Sequence, residues 1–246
     1  MTHFSSEGWE IFQQAAARLG LNLPVVVSRS TVQPTLDGYS QAGLLLPERY
    51  HSTYRTILLL GAGGRGFWEQ FQAAPEAHDG LPDPLDRFSV RQVDSLAAIV
   101  RSWDPTAVSA FPFRHPQQVI PFQALVSHTG LTRPAPFGVA IHPIYGPWFA
   151  WRGLILCELE WPETSGLETS PCHRCSAPCL QACPAAAARP EGLIWERCLQ
   201  ERRRESPCRG TCASRTACIV GTEHQYGSHQ TAYHAAASLR EIMAME

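Results

Sequence analysis

The sequence predicts an α+β fold followed by a cysteine-rich segment, and three observations lead to this prediction. Apolar residues recur at helical spacing in several stretches, whereas the strand-like runs do not alternate regularly with helices. The first 156 residues contain no cysteine, and all nine cysteines fall between Cys157 and Cys218. Residues 161–166 are polar and contain proline and glycine, which is typical of a linker. We therefore expect one domain at 1–165 and a second at 166–246.

Local patterns place the individual elements. Apolar residues at helical spacing, with glycine or proline at the boundaries, predict helices at 7–19, 67–73, 84–103, 117–128 and 228–243. Runs of branched apolar residues predict strands at 25–27 and 56–60. Branched and aromatic residues on either side of a Tyr-Gly-Pro turn predict a hairpin that pairs 137–142 with 148–156.

Composition excludes several classes of protein. The chain has 246 residues, of which 44% are apolar, and a net charge of −2, so it offers no electrostatic case for binding nucleic acid or an anionic membrane. We interpret its longest basic run, Arg202-Arg203-Arg204, as a solvated helix face. No apolar stretch approaches the roughly 18 residues that span a bilayer, and residues 1–19 do not resemble a signal peptide. We expect a cytoplasmic protein, whose oligomeric state the sequence leaves open.

The cysteines are spaced as iron–sulfur ligands. The core motif is Cys172-x2-Cys175-x3-Cys179-x3-Cys183-Pro184, and Cys198, Cys208, Cys212 and Cys218 follow it. Short spacings let one loop wrap a cubane, and a Cys-Pro pair sends the fourth sulfur to a second cluster. This crossover assigns Cys172, Cys175, Cys179 and Cys218 to one [4Fe–4S] cluster, and Cys183, Cys198, Cys208 and Cys212 to another.

Other interpretations of the cysteines stay open at this point. Zinc also accepts paired Cys-x-x-Cys motifs. The cysteines could instead hold a single cluster, which needs four of them, or be free thiols that bind no metal. The motif departs from the common ferredoxin pattern, because its middle gap is three residues where two are usual. Cys157 stands apart in an apolar strand, and we interpret it as an inert buried side chain.

A glycine-rich segment offers a competing function. Gly61-Ala62-Gly63-Gly64-Arg65-Gly66 fits the G-x-G-x-x-G pattern of dinucleotide-binding turns and follows a predicted strand. The following stretch, 75–84, has the composition of a loop and provides no second buried parallel strand. We therefore interpret the segment as a turn before a helix whose N-terminus could hold a small anion.

Residues 139–156 resemble the signature of the CblC-type cobalamin-processing proteins, which remove the upper axial ligand of vitamin B12 derivatives. The segment reads V-A-I-H-P-I-Y-G-P-W-F-A-W-R-G-L-I-L, similar to the family pattern I-H-P-R-[FY]-G-G-W-F-A-x-R-G. A weaker similarity covers most of 8–162 and includes Asp83-Pro84-Leu85-Asp86 and the stretch 123–130.

This resemblance implies a nitroreductase-like sandwich that binds base-off cobalamin. It assigns to the cofactor pocket His128, Gln123, His142, Pro143, Ile144, Tyr145, Gly146, Trp148 and Arg152. Ile144 stands where the family usually has an arginine that is tied to a thiol co-substrate, so a glutathione-dependent reaction is not implied. The resemblance does not identify a catalytic residue.

The C-terminal segment is similar to that of the epoxyqueuosine reductases, which join a cobalamin domain to two [4Fe–4S] clusters. The spacing Cys183-x14-Cys198 carries this similarity and implies a ferredoxin-like tail. We expect an oxidoreductase, either a cobalamin decyanase or dealkylase or a cob(II)alamin reductase, supplied by a low-potential donor of the ferredoxin or flavodoxin type. The alternatives are an epoxyqueuosine-reductase-like enzyme and a B12 chaperone or electron carrier without turnover.

Overall fold

A computed structural model describes residues 6–40, 50–113, 122–127, 129–164, 166 and 170–244. The described residues form two compact units. The first unit comprises 1–131 and 150–166, and the second comprises 132–149 and 167–246. The second unit thus includes 132–149, which the division of the sequence at residue 165 had assigned to the first domain.

The first unit is built on a four-stranded sheet. Its strands are β1 (Leu23–Ser28), β2 (Thr56–Gly63), β3 (Val108–Ala110) and β6 (Phe149–Cys157), in the order β1-β2-β6-β3. The pairs β1–β2 and β3–β6 are antiparallel, and every residue of β2 is buried. The helices of this unit are α1 (Ser6–Arg18), α2 (Arg29–Ser40), α3 (Gly66–Gln72), α4 (Pro84–Arg101) and α5 (Phe122–Ser127).

Helix α4 shows why this unit has a core. Leu85, Phe88, Val93, Leu96 and Val100 recur three to five residues apart, so they share one face, and all are buried. This helix packs against α1 and β3. The predicted helix at 117–128 corresponds to α5, and its remaining residues lie outside the described part of the chain.

The second unit consists of short elements. Its strands pair as β4 (Arg133–Pro134) with β5 (Ala140–Ile141) and β7 (Ala188–Arg189) with β8 (Gly192–Leu193), both antiparallel. Its helices are α6 (Pro178–Ala182), α7 (Trp195–Arg203), α8 (Ala213–Thr216) and α9 (Ser228–Ala244). Single 3-10 turns occur at Pro171–Arg174, Pro207–Arg209 and Thr222–His224, and another, Pro75–Ala77, lies in the first unit.

The observed elements are mixed α and β with antiparallel pairing, so the α+β prediction is confirmed. The predicted hairpin between 137–142 and 148–156 is wrong, because β5 pairs with β4 while β6 joins the large sheet. Proline explains this outcome: Pro147 directly follows the turn at 142–146 and has no N–H to extend a ladder. The glycine-rich segment is not a dinucleotide turn, since Gly61 and Gly63 lie inside β2, which runs antiparallel to β1.

Candidate functional site

The first group of cysteines gathers around α6. Cys172 lies in a 3-10 turn, Cys175 ends that turn, Cys179 lies in α6, and Cys218 follows α8. Burial raises the pKa of the Cys179 thiol, and the neighbouring thiols of Cys218, Cys172 and Cys175 raise it further. The structure therefore brings these four thiols together, and we call them the first thiol set.

The second group lies on α7 and at the start of α8. Cys183 ends α6, Cys198 lies in α7, Cys208 lies in a 3-10 turn, and Cys212 precedes α8. All four line one cavity of about 260 Å³. Burial raises the pKa of Cys198, and its neighbours include Cys212, Cys183 and Cys208. We call these four cysteines the second thiol set.

The same tripeptide begins one turn of each set. Ser170-Pro171-Cys172 and Ser206-Pro207-Cys208 both place proline at the first helical position, where a missing N–H costs no hydrogen bond. In each case the serine hydroxyl accepts the backbone N–H of the cysteine, at 3.2 Å for Cys172 and 3.3 Å for Cys208. Each of these two cysteines is thus held at its backbone by the serine two residues before it.

Backbone N–H groups also reach the sulfurs. Ala177 donates to Cys175 Sγ and Ala187 donates to Cys183 Sγ, each at 3.3 Å. Burial alone would raise the pKa of the Cys183 thiol, but hydrogen bonds from Ala188 and Ala187, together with one from Ser214, lower it below its ordinary value. Such donors favour the thiolate, which is the form that ligates metal.

His142 organises the turn at 142–146, which lies within the segment 139–156 and which we call the signature turn. Its Nδ1 accepts the backbone N–H groups of Ile144 at 3.1 Å and Tyr145 at 3.2 Å, while the backbones of His142 and Gly146 exchange two hydrogen bonds of 2.8 Å. Burial, with a smaller contribution from His224, lowers the pKa of His142 to about 4. The imidazole is therefore neutral at physiological pH and carries its proton on Nε2.

Two glycines hold this turn against the loop after Cys218. Gly146 has a φ of +55°, and a Cβ there would lie 1.9 Å from the carbonyl oxygen of Val220. Gly221 has a φ of +66°, and its Cβ would lie 2.4 Å from the carbonyl carbon of Tyr145. Both positions need glycine because of the backbone conformation and the close approach. The signature turn and the loop that carries Cys218 thus pack backbone to backbone.

Trp148 lies in the lining of the second cavity. Its side chain is 2% exposed, and its ring makes an edge contact with Tyr226, the centroids 5.5 Å apart. The guanidinium of Arg215 stands 4.9 Å from the centroids of both rings and donates to the carbonyl oxygen of Pro147 at 2.6 Å.

The remaining predicted pocket residues differ in their surroundings. Ile144 is 59% exposed, whereas Arg152 is buried in the first unit with its guanidinium 4.9 Å from the centre of the Phe67 ring. Burial raises the pKa of the nearby Asp86, and Arg152 opposes this shift. Gln123 lies in α5.

His128 lies outside the described residues, and the position of the Gln123 side chain is likewise not described. The first unit also contains an open cavity of about 790 Å³ beside Arg29, Arg55 and Glu160. None of the predicted pocket residues described by the structure lines it.

Sequence reasoning missed two arginines. Arg202 and Arg215 both line the cavity of the second thiol set. The basic run was interpreted as a solvated face, which holds for the exposed Arg203 and Arg204 but is wrong for Arg202. Helical spacing could have indicated this position, because Arg202 lies four residues after Cys198 in α7.

Cys157 is fully buried in β6, and burial raises the pKa of its thiol to about 12. Its prediction as a buried side chain is therefore confirmed. Among the described residues, no three or more His, Cys, Asp or Glu side chains are arranged to hold a single metal ion. No helix in the described part of the chain has the length and hydropathy needed to cross a membrane.

Several proteins of known structure share this fold at low sequence identity. The B12-trafficking protein CblC of C. elegans is 14% identical, with a TM-score of 0.61 over 97% of this chain and 96% of that protein. An epoxyqueuosine reductase is 13% identical, with a TM-score of 0.59 over 92% of this chain and 68% of the reductase.

A catabolic reductive dehalogenase in complex with 3-bromo-4-hydroxybenzoic acid is 15% identical, with a TM-score of 0.53. The match covers 96% of this chain but only 35% of the dehalogenase. No protein-family model and no curated protein matches the sequence. These similarities establish the fold that the chain shares with the three proteins.

Proposed function

We propose that this protein is an iron–sulfur cobalamin-processing reductase that removes the upper axial ligand of base-off cobalamin or reduces its cobalt. The observation that carries the proposal is the grouping of eight thiols into two sets of four, the second of which lines a cavity of about 260 Å³. The two sets match the crossover that the Cys-Pro motif predicts for two [4Fe–4S] clusters.

The cysteine pattern fits clusters better than zinc. The proposed ligands of each site are all thiolates, and each thiolate of a cubane binds a different iron, so the four sulfurs remain apart. Zinc also binds four thiolates, at about 2.3 Å each, so the preference for clusters comes from the cysteine spacing and the Cys-Pro crossover. The first thiol set would hold one cluster and the second thiol set the other, in a ferredoxin-like arrangement.

Support for cobalamin comes from fold and signature together. This chain and the B12-trafficking protein match over nearly their whole lengths, and the signature at 139–156 belongs to the same kind of protein. His142 is 3% exposed, and its Nδ1 already accepts two backbone N–H groups, so this side chain holds the shape of the turn and has no free lone pair for cobalt. His142 is therefore assigned to positioning of the turn and not to ligation of cobalt.

The residues of the chain have separate tasks in this account. When bound, cobalamin supplies the cobalt at which the axial ligand is lost, and the clusters supply single electrons from a ferredoxin or flavodoxin in the cytoplasm. The thiol sets fix the clusters, and backbone donors to Cys175 and Cys183 stabilise their thiolates. Gly146 and Gly221 allow the signature turn to pack against the loop that follows Cys218, a member of the first thiol set.

Anaerobic reconstitution tests the proposal directly. We expect about eight iron and eight sulfide per chain, the content of two four-iron clusters, and a change in the corrin absorption spectrum when hydroxocobalamin is added. Methyl- or cyanocobalamin should then lose its upper ligand when a one-electron reductant is present. An iron-loaded protein that leaves the corrin spectrum unchanged would contradict the cobalamin part of the proposal.

The shared fold also favours a second candidate, an epoxyqueuosine-reductase-like enzyme acting on a modified nucleoside. A net charge of −2 gives no general attraction for tRNA, so we place this candidate second. Turnover of an epoxyqueuosine-containing tRNA, without turnover of methyl- or cyanocobalamin, would select it. A chaperone would bind cobalamin and leave its upper ligand intact under the same reductant.

A further inference from the structure

The cavity of the second thiol set is lined by cations as well as by sulfur. Arg202 and Arg215 both contribute to its wall. Arg202 donates to the hydroxyl of Ser238 at 2.8 Å and to the carbonyl oxygen of Ala235 at 3.2 Å. Arg215 donates to the carbonyl oxygen of Pro147 at 2.6 Å.

These partners are neutral, so they leave the charges of the two arginines in place. Within the described residues, neither guanidinium lies within ion-pair distance of a carboxylate. The aromatic rings of Trp148 and Tyr226 stack with Arg215 at 4.9 Å and hold it without neutralising it. Glu201 also lines the cavity, so the two guanidinium groups and this carboxylate leave a net charge of +1 there, and the potential at the cavity is positive.

Three buried N–H groups on the same lining residues find no acceptor among the described residues: Nε of Arg202, Nε of Arg215 and Nε1 of Trp148. A buried donor without a partner is energetically costly, so several such donors at one cavity indicate that they face an acceptor there. A cluster has sulfide and thiolate sulfurs that accept hydrogen bonds, and with four thiolates an oxidised four-iron cluster carries a charge of about −2.

The first thiol set has different surroundings. Cys179 and Cys218 pack in an apolar group with Phe137, Ile141 and Ala188. Phe137 and Ala188 also line the second cavity, so the two thiol sets differ in the arginines and the indole N–H of that cavity and not in these apolar neighbours. Reduction adds one negative charge to a cluster, so nearby cations and N–H donors favour reduction, whereas apolar surroundings oppose it.

We propose, resting on the cluster assignment above, that Arg202, Arg215 and the indole N–H of Trp148 form the counter-charge and hydrogen-bond shell of the cluster held by the second thiol set. This shell makes that cluster the more easily reduced of the two. A single electron donated to the protein by an external reductant therefore resides on the second cluster, which is reduced by one electron while the donor is oxidised by one.

Redox titration of the full-length, reconstituted protein, followed by electron paramagnetic resonance, tests this inference. The signal that disappears in Cys208→Ser identifies the second cluster. In Arg215→Gln, we expect the equilibrium constant for its one-electron reduction to fall at least tenfold, which corresponds to about 59 mV, while the first cluster is unchanged. Arg215→Lys keeps the charge and should recover most of the loss. Trp148→Phe should lower the constant by a smaller factor.

Arg204→Gln is the matched control, because it removes the same charge from an exposed position outside the cavity lining. The inference would be overturned if the equilibrium constant for reduction of the second cluster changed equally in Arg204→Gln and Arg215→Gln. It would also be overturned if this constant did not change in Arg215→Gln. If Arg215→Gln loses the second cluster and Arg215→Lys retains it, the counter-charge role is supported; loss in both variants would overturn it in favour of a purely structural role. Absence of iron from the unvaried protein would instead contradict the cluster assignment itself.

Discussion

The two units of this protein are held together by different means. In the first unit, β2 is buried along its whole length, and α4 presents a continuous apolar face. In the second unit, α6 has five residues, α8 has four, and none of the nine described residues of α7 is buried. Helices this short are unstable alone, so their order must come from contacts with something else. The first unit therefore folds on an extensive apolar core, whereas the second has only a small apolar group around Phe137 and Ile141, and we predict that it depends on metal bound by its thiols.

Removal of one thiolate should have the largest effect and would sharpen this comparison most. In Cys179→Ser we expect the first cluster to be lost and iron to fall from about eight to about four per chain, because a metal-dependent fold loses its binding free energy with its ligand. Limited proteolysis should then cut within 167–246 and leave the first unit intact.

Cys157→Ala is the control for this variant, since Cys157 is buried in the first unit and belongs to neither thiol set. It should retain the full iron content. If Cys157→Ala loses iron to the same extent as Cys179→Ser, the assignment of ligands is wrong.

A new cavity, created by substitution in the core of the first unit, should have the next largest effect. Leu59 is completely buried in β2, and Leu59→Ala should lower the free energy of unfolding by about 2–5 kcal/mol, the usual cost of such a cavity. Denaturant titration measures this loss. Because the change lies in the other unit, iron content at low denaturant should stay unchanged, and a proportional loss of iron would break the distinction between the two units.

The glycine contact should have an intermediate effect within the second unit. Gly146→Ala introduces a Cβ at a positive φ, 1.9 Å from the carbonyl oxygen of Val220, and should destabilise this unit by about 2 kcal/mol or more. Gly227→Ala is the matched control, because a Cβ there meets no atom within 4 Å. Thermal unfolding followed at the cluster absorption should separate the two variants, and identical transitions would show that the turn can move away from the loop.

Protonation of His142 should have the smallest effect. Its pKa is about 4 in the folded protein and about 6.5 in an unfolded chain, so the unfolded state binds the proton more readily between these values. Stability is therefore lost as pH falls from about 6.5 to 4 and is independent of this group above that window.

His142→Gln removes this proton uptake. Its stability should fall less steeply with decreasing pH than that of the unvaried protein, by up to about 1.4 kcal/mol per pH unit. Clusters are also lost in acid, but this loss affects His142→Gln and the unvaried protein alike, so it cancels when their stabilities are compared. Parallel pH profiles from denaturant titration would count against a buried neutral imidazole.

Sequence reasoning succeeded where one local rule decides the outcome. Apolar periodicity located α1 and α4 to within two residues. The Cys-Pro crossover sorted eight cysteines into two groups of four. Their assignment to clusters stays a prediction.

Sequence reasoning failed where the outcome depends on tertiary contacts. The segment 132–149 belongs with the second unit because Gly146 and Gly221 let two backbones approach, which no local pattern shows. Arg202 was treated as part of a solvated run, although only the packing of α7 beside α9 distinguishes it from its neighbours Arg203 and Arg204.

The most direct test of the central claim is an anaerobic electron count. The full-length protein would be reconstituted, reduced with a known amount of a one-electron donor and freed of excess reductant. It would then be mixed with cob(II)alamin, which becomes cob(I)alamin, or with cyanocobalamin, which becomes cob(II)alamin and releases cyanide. We predict that the cluster signals are lost in step with the change in the corrin spectrum, one electron per corrin reduced, and that Cys208→Ser slows this transfer. Reduced clusters that persist beside an unchanged, bound corrin would contradict the account.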